Sequence, residues 1–223
     1  MSSHRCIFTS FLLVATSIGT WAQRGGINIE DHLLIREAIH YRSEPQQEQY
    51  EGSPFHRDTF ELGYVYAGKE KFNPVSLRYN IVEDVMEFQH HGQIYLLDAD
   101  ARITRIEIGQ EVFLARNFPL AKKEGGGFLE LVEAGKLKLL SKKVVNYRKA
   151  VPLQGLPAKY SRQPDIFYVQ VDDFPLSKVS SVKNLIASLP DKRQEMLQFS
   201  KTEKISARDR NDLLKLVRFY NSL

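Results

Sequence analysis

Residues 75–97 read VSLRYNIVEDVMEFQHHGQIYLL. Val75, Leu77, Tyr79 and Ile81 alternate with Ser76, Arg78 and Asn80, the period-two pattern of a strand that keeps one face in a core. Glu83-Asp84 punctuates that run, Val85 to Phe88 opens a second, His91-Gly92 supplies a tight turn, and Ile94 to Leu97 makes a third. Connections this short force neighbouring strands to be antiparallel, because a parallel pair needs a crossover of at least about a dozen residues.

The pattern extends both ways. Upstream, Phe60, Leu62, Tyr64 and Tyr66 share one face of a strand that ends before the Asn73-Pro74 turn. Downstream come Ile103 to Ile108 and Val112 to Ala115, with Asp98 to Ala101 and Gly109-Gln110 as turns. Phe128 to Val132 and Leu137 to Tyr147 follow, joined at Ala134-Gly135, and Ile166 to Val171 is the last strand-like run. Pro152, Pro157 and Pro164 make the stretch between Tyr147 and Ile166 an extended connection. The expectation is an antiparallel meander of about seven to nine strands.

After Asp173 the period becomes helical. Val182, Leu185, Ile186 and Leu189 recur behind a Ser180 or Ser181 N-cap, and Pro190 stops that helix. Asp191 with Gln194 can cap a second helix carrying Met196, Leu197 and Phe199. Ser206 with Asp209 opens a third, whose buried stripe is Leu213, Leu216, Val217 and Tyr220. Strands followed by segregated helices imply an α+β fold, with a sheet over 55–175 and helices over 176–223 packed on it. Residues 23–54 form a lead-in and linker, weakly helical in pattern from Asn28 to Tyr41.

Residues 1–22 read as a secretory signal peptide. A short basic start at His4-Arg5 precedes an apolar run from Cys6 to Thr20, and Thr20-Trp21-Ala22 forms a cleavage site before Gln23. The run falls short of the roughly 20 residues that span a bilayer, so the processed chain is not expected to be an integral membrane protein. Cleavage removes the only Cys and the only Trp. A thiol-free exported chain without an Asn-x-Ser/Thr sequon fits a bacterial envelope better than a eukaryotic secretory route.

The 223 residues are 43% hydrophobic and 26% charged, which excludes a disordered, collagenous or multi-span membrane chain. The single Cys excludes both an intramolecular disulfide and a zinc ribbon. The net charge of +4 conceals a split. From Gln23 to Gly135 there are 12 basic and 19 acidic residues; after Gly135 there are 18 and 8. The basic half, with Lys142, Lys143 and Arg148 near its start, can meet an anionic lipid surface or an acidic envelope protein, or it can be neutralised by the acidic half. Export argues against nucleic acid as a partner.

Few residues suggest catalysis. His90 and His91, with Asp98, are the candidate set for a metal-dependent hydrolase, but adjacent strand residues point to opposite faces and converge only at a distorted turn. Glu83-Asp84 and Asp172-Asp173 stand at strand ends, where carboxylates commonly shape turns. Gly125-Gly126-Gly127 leads into a strand, not the Gly-Lys-Ser/Thr and helix of a phosphate loop. No cofactor is expected. Tyr64, Tyr66, Tyr79 and Phe88 are the candidate lining of an apolar-ligand cavity within a curved sheet, or else core packing.

The runs Pro74 to Ile81 (PVSLRYNI), Glu83 to Phe88 (EDVMEF) and Gln93 to Leu97 (QIYLL) resemble a group of exported, uncharacterised proteins of the Bacteroidota. Tyr168 to Asp172, Ser180 to Pro190, the closing Leu213 to Leu223 and Trp21-Ala-Gln23 extend the resemblance over most of the mature chain. The group carries no established activity or catalytic residues, so what the resemblance implies is export. The helical C-terminus lacks the character of a β-rich surface-sorting domain, which points to the periplasm. The expected function is a non-enzymatic binding or protein-interaction module of the envelope; an apolar-ligand carrier and a metal-dependent hydrolase are the alternatives.

Overall fold

The structure, a computed structural model, describes residues 28–29, 38–42, 50–100, 102–117 and 126–223. The expected signal peptide lies outside them. In chain order the strands are β1 (Ile39–Tyr41), β2 (Tyr50–Glu51), β3 (Glu61–Ala67), β4 (Glu70–Lys71), β5 (Val75–Asn80), β6 (Val85–His90) and β7 (Gln93–Leu97). They continue as β8 (Ile103–Ile108), β9 (Glu111–Asn117), β10 (Gly126–Glu133), β11 (Leu137–Arg148), β12 (Ala158–Val171) and β13 (Ser177–Lys178). Helices α1 (Val182–Ala187), α2 (Arg193–Thr202) and α3 (Arg210–Ser222) close the chain. The fold is α+β, and its sheet has 13 strands among the described residues, more than expected, because short pairs such as β2, β4 and β13 carry no pattern of their own.

The sheet is not a simple meander. Its order is β1-β7-β6-β5-β3-β8-β9-β10-β11-β12-β13, so the chain makes one run of hairpins from β3 to β7 and then returns to lay β8 on the other side of β3. This is a Greek-key return with one additional strand. The link from Leu97 to Ile103, expected to be a tight turn at Asp98 to Ala101, is that return. Four strand spacings separate β7 from β8, about 19 Å on a flat sheet. The six Cα steps from Leu97 to Ile103 cover that distance only when nearly fully extended. The return is instead bent, with the Ile103 amide donating to Asp100 O at 3.0 Å. The sheet therefore curls, and Leu97 and Ile103 meet in one core.

That core is filled from within by Val65, Leu77, Tyr79, Met86, Phe88, Ile106, Phe113 and Phe128. The curl is tight at Gly63, where a Cβ would stand 2.2 Å from Glu107 O and 2.8 Å from Leu77 Cδ1. Ile29 and Ala38 pack into the same core, and β1 forms the edge beside β7, so the lead-in is sheet and core where it is described. Ile39–Tyr41, the end of the stretch with the weakly helical pattern, is edge strand, and residues 30–37 of that stretch lie outside the described residues.

A second core joins β11 and β12 to the helices. Leu137, Leu139, Val169 and Met196 meet the α3 stripe Leu213, Leu216, Val217 and Tyr220, all four as expected from their spacing. Ser181 caps α1 by accepting from the Asn184 amide, and Asp209 caps α3 by accepting from that of Asp212. Asp191 does not cap α2, which starts behind Lys192 in a left-handed conformation; its carboxylate accepts from Tyr220 and pairs with Lys136.

Candidate functional site

The four aromatic candidates do not line one cavity. Tyr79 and Phe88, 2% and 0% exposed, are core residues of the curl. Tyr64 and Tyr66 lie on the outer face of β3, because Gly63, Val65 and Ala67 fill its inner side where the curl leaves no room for large rings. Outside, Lys71 Nζ stands 3.5 Å over the Tyr64 ring, and the Tyr66 hydroxyl donates to Glu107 at 3.0 Å.

His90 ends β6 and His91 enters the hairpin with a positive φ of 48°, and the two rings lie 3.9 Å apart, so the turn does bring them together. Asp98 does not join them; it faces His40 at 3.0 Å. Among the described residues no three or more His, Cys, Asp or Glu side chains come together as a metal site would require.

Lys142 and Lys143 are not at the surface, and this corrects the expected cationic patch. Lys142 is 5% exposed. Its ammonium donates to the Tyr79 hydroxyl at 2.8 Å and to Phe128 O at 3.2 Å, and it pairs closely with Asp84. Asp84 is a turn residue, as expected, with a left-handed φ of 58°, but its carboxylate points inward. It also accepts from the Tyr79 hydroxyl at 2.7 Å and the Phe128 amide at 3.2 Å. Burial, and then the Asp84 charge, push the Tyr79 phenol well above its ordinary range.

Lys143 lies opposite a bulge, where Pro164 and Asp165 of β12 face one residue of β11. A bulge tolerates a proline that a regular central strand would exclude, so β12 runs unbroken from Ala158 instead of starting at Ile166. Lys143 pairs with Asp165 at 2.7 Å and with Glu130 at 2.8 Å. Glu130 also receives the Arg210 guanidinium of α3 on both oxygens. Burial pushes the Glu130 carboxyl up, but the bonds and charges of Arg210 and Lys143 overcome it and hold the group down at about 2. The belt from Tyr79 through Asp84, Lys142, Lys143, Asp165, Glu130 and Arg210 thus runs from the curled core to the start of α3.

Periodicity gave no sign of these partners, nor of buried Glu87. That carboxylate is held by Arg42 at 2.8 Å and by Arg78 at 2.6 Å, with Arg78 stacked 3.6 Å over Phe55. The one available signal was a carboxylate at a position flanked by apolar strand neighbours, Met86 and Phe88 for Glu87, Leu129 and Leu131 for Glu130.

Of the three expected surface cations only Arg148 is exposed, and it belongs to an arm. β10 pairs with β11 only from Leu139 to Ser141, whereas β11 and β12 stay paired out to Arg148 and Lys159. At the end Val151 and Leu156 pair, a single 3-10 turn spans Pro152–Gln154, and Gly155 takes a left-handed φ of 64°. Leu153 at the apex is fully exposed and Leu156 is 43% exposed. Below the tip Arg148, Lys149 and Lys159 lie exposed, and Tyr147 and Tyr160 stack with ring centres 4.9 Å apart. Tyr50 of β2 meets Tyr160 edge-on at 5.1 Å. From Ala134 to Pro164 the chain has eight Lys or Arg and no Asp or Glu.

No protein family, curated protein or solved structure matches the chain.

Proposed function

We propose that the chain is exported to a bacterial envelope, with the periplasm as its compartment, and acts there as a non-enzymatic interaction module through the β11–β12 arm. The outer arm carries this reading: the hairpin over residues 146–157 presents a fully exposed Leu153 above a set of cations, and none of its residues belongs to a core cluster. Leu153 and Leu156 stand together with Val151 as an apolar end rimmed by cations, the pattern of an interaction site. The leader at 1–22, the thiol-free remainder and the resemblance to exported Bacteroidota proteins support the compartment. No helix among the described residues is long and apolar enough to cross a membrane, so association would come from the folded surface.

Cell fractionation tests the proposal. The protein should begin at Gln23 and remain with the envelope fraction, and the double variant Leu153→Ser/Leu156→Ser should move to the soluble fraction with an unchanged melting temperature. Envelope association at the parental level in that variant would show that the arm is not the contact.

A further inference from the structure

We propose that the arm docks on an anionic lipid surface, its apex entering the boundary between headgroups and acyl chains. The inference rests on the reading of the chain as an envelope module and names the partner of the same site. The arm is ordered in three tiers. Val151, Leu153 and Leu156 form the apolar end, braced by mutual Val151 and Leu156 backbone bonds of 2.8 and 3.2 Å and by the Gln154 amide donating to Val151 O at 2.9 Å. Arg148, Lys149 and Lys159 form the next tier; Arg148 donates to Pro157 O at 3.0 Å, and Lys159 pairs with Glu51 at 3.0 Å. The tyrosines Tyr147, Tyr160 and Tyr50 form the third.

Each tier meets the chemistry of a bilayer at the matching depth. Aliphatic side chains partition into the first several ångströms of the acyl region, cations face phosphate groups, and phenols suit the polar interface. Arg148 to Val151 spans about 10 Å of extended chain, the scale of the headgroup layer. Charge chooses the sign of the surface. From Tyr147 to Tyr160 the arm has no carboxylate, and Glu51 pairs with Lys159 at its base. A protein partner would require a matching concave pocket for Leu153, whereas a fluid lipid surface needs only the apolar apex and the cations behind it. The hairpin is closed before it binds, so little ordering entropy is lost on docking.

Vesicle co-sedimentation of the processed full chain tests the proposal. Mixed phosphatidylglycerol–phosphatidylcholine vesicles should bind it and pure phosphatidylcholine vesicles should bind it far less, with the difference shrinking as salt rises. Leu153→Ser should weaken binding about tenfold or more, the effect of withdrawing one leucine from an apolar phase. Arg148→Gln with Lys149→Gln should weaken it by about fivefold per charge. Leu153→Trp, placed in a chain expected to lose its only tryptophan, should show a blue-shifted emission with the anionic vesicles alone. Failure to bind anionic vesicles, or binding that Leu153→Ser leaves intact, overturns the lipid inference. If envelope association still depends on the arm in that case, the interaction module stands and its partner is a protein. If envelope association ignores the arm as well, both readings fall.

Discussion

Glu130 shows how a single carboxylate can be both buried and charged. Its strand position, between Leu129 and Leu131, would desolvate it, and an unpaired charge there would cost several kcal/mol. Arg210 and Lys143 supply the counter-charges and hold its pKa at about 2, down from 4.5. A depressed folded-state pKa stabilises the fold fully above about 4.5, and that contribution fades as pH falls toward about 2. The shift corresponds to on the order of 3 kcal/mol at neutral pH. Glu130→Gln should therefore lower stability at pH 7 by up to that order and flatten the fall in stability between pH 4.5 and 2. Urea melts at several pH values read both effects, and an acid limb as steep as the parent's would remove Glu130 from the account. At the other end of the scale, burial raises the Tyr220 phenol, and its bond to Asp191 assists, to about 12. Its neutral form thus stabilises the fold below about pH 10 and ceases to do so as pH climbs toward 12.

At the level of elements, β3 governs the curl. It accepts β5 on one side and β8 on the other, and Gly63 is where its backbone comes closest to β8. Gly63→Ala would push a methyl group into Glu107 O, a backbone atom that cannot swing away. The expected loss is about 3 kcal/mol, the upper end of ordinary overpacking, read as a lowered urea midpoint. An alanine variant as stable as the parent would mean that β3 and β8 can move apart there at no cost. Sequence made most strands legible because half-buried strands alternate, and it made the α3 stripe legible because four apolar residues recur at helical spacing. It did not reveal the return to β3, since Asp98 to Ala101 has the composition of any turn and only the long-range pairing identifies the link as a crossover. Sidedness was also hidden: Tyr64 and Tyr66 share a face, but nothing local says that Gly63, Val65 and Ala67 take the inside. Pro164 hid the first half of β12, which reads as an extended connection, because a bulge needs its partner strand to be recognised. Buried ion pairs were illegible for the same reason, each partner lying far away in sequence.

For the molecule as a whole, the charge split is answered in part inside the fold. Lys142–Asp84, Lys143–Glu130, Arg210–Glu130, Arg218–Glu133 and Lys159–Glu51 all link the basic half to the acidic one. The belt therefore ties the curled core to the helical core, and the two should unfold in one transition. A double-mutant cycle measures the tie. Asp84→Asn and Lys142→Met should each cost about 3–5 kcal/mol by leaving the other group buried without its counter-charge, and the double variant should cost less than their sum by about 1–3 kcal/mol. Strict additivity would mean that the pair contributes nothing jointly. The parallel contact of β2 with β12 carries a consequence of another order, one of time. Glu51 and Lys159 are 108 residues apart, so the pairing closes only after most of the chain is available. Contacts of that reach slow folding toward milliseconds to seconds. Until closure, the outer edge of β12 is an open template for other chains, and that interval is when the protein is most exposed to aggregation.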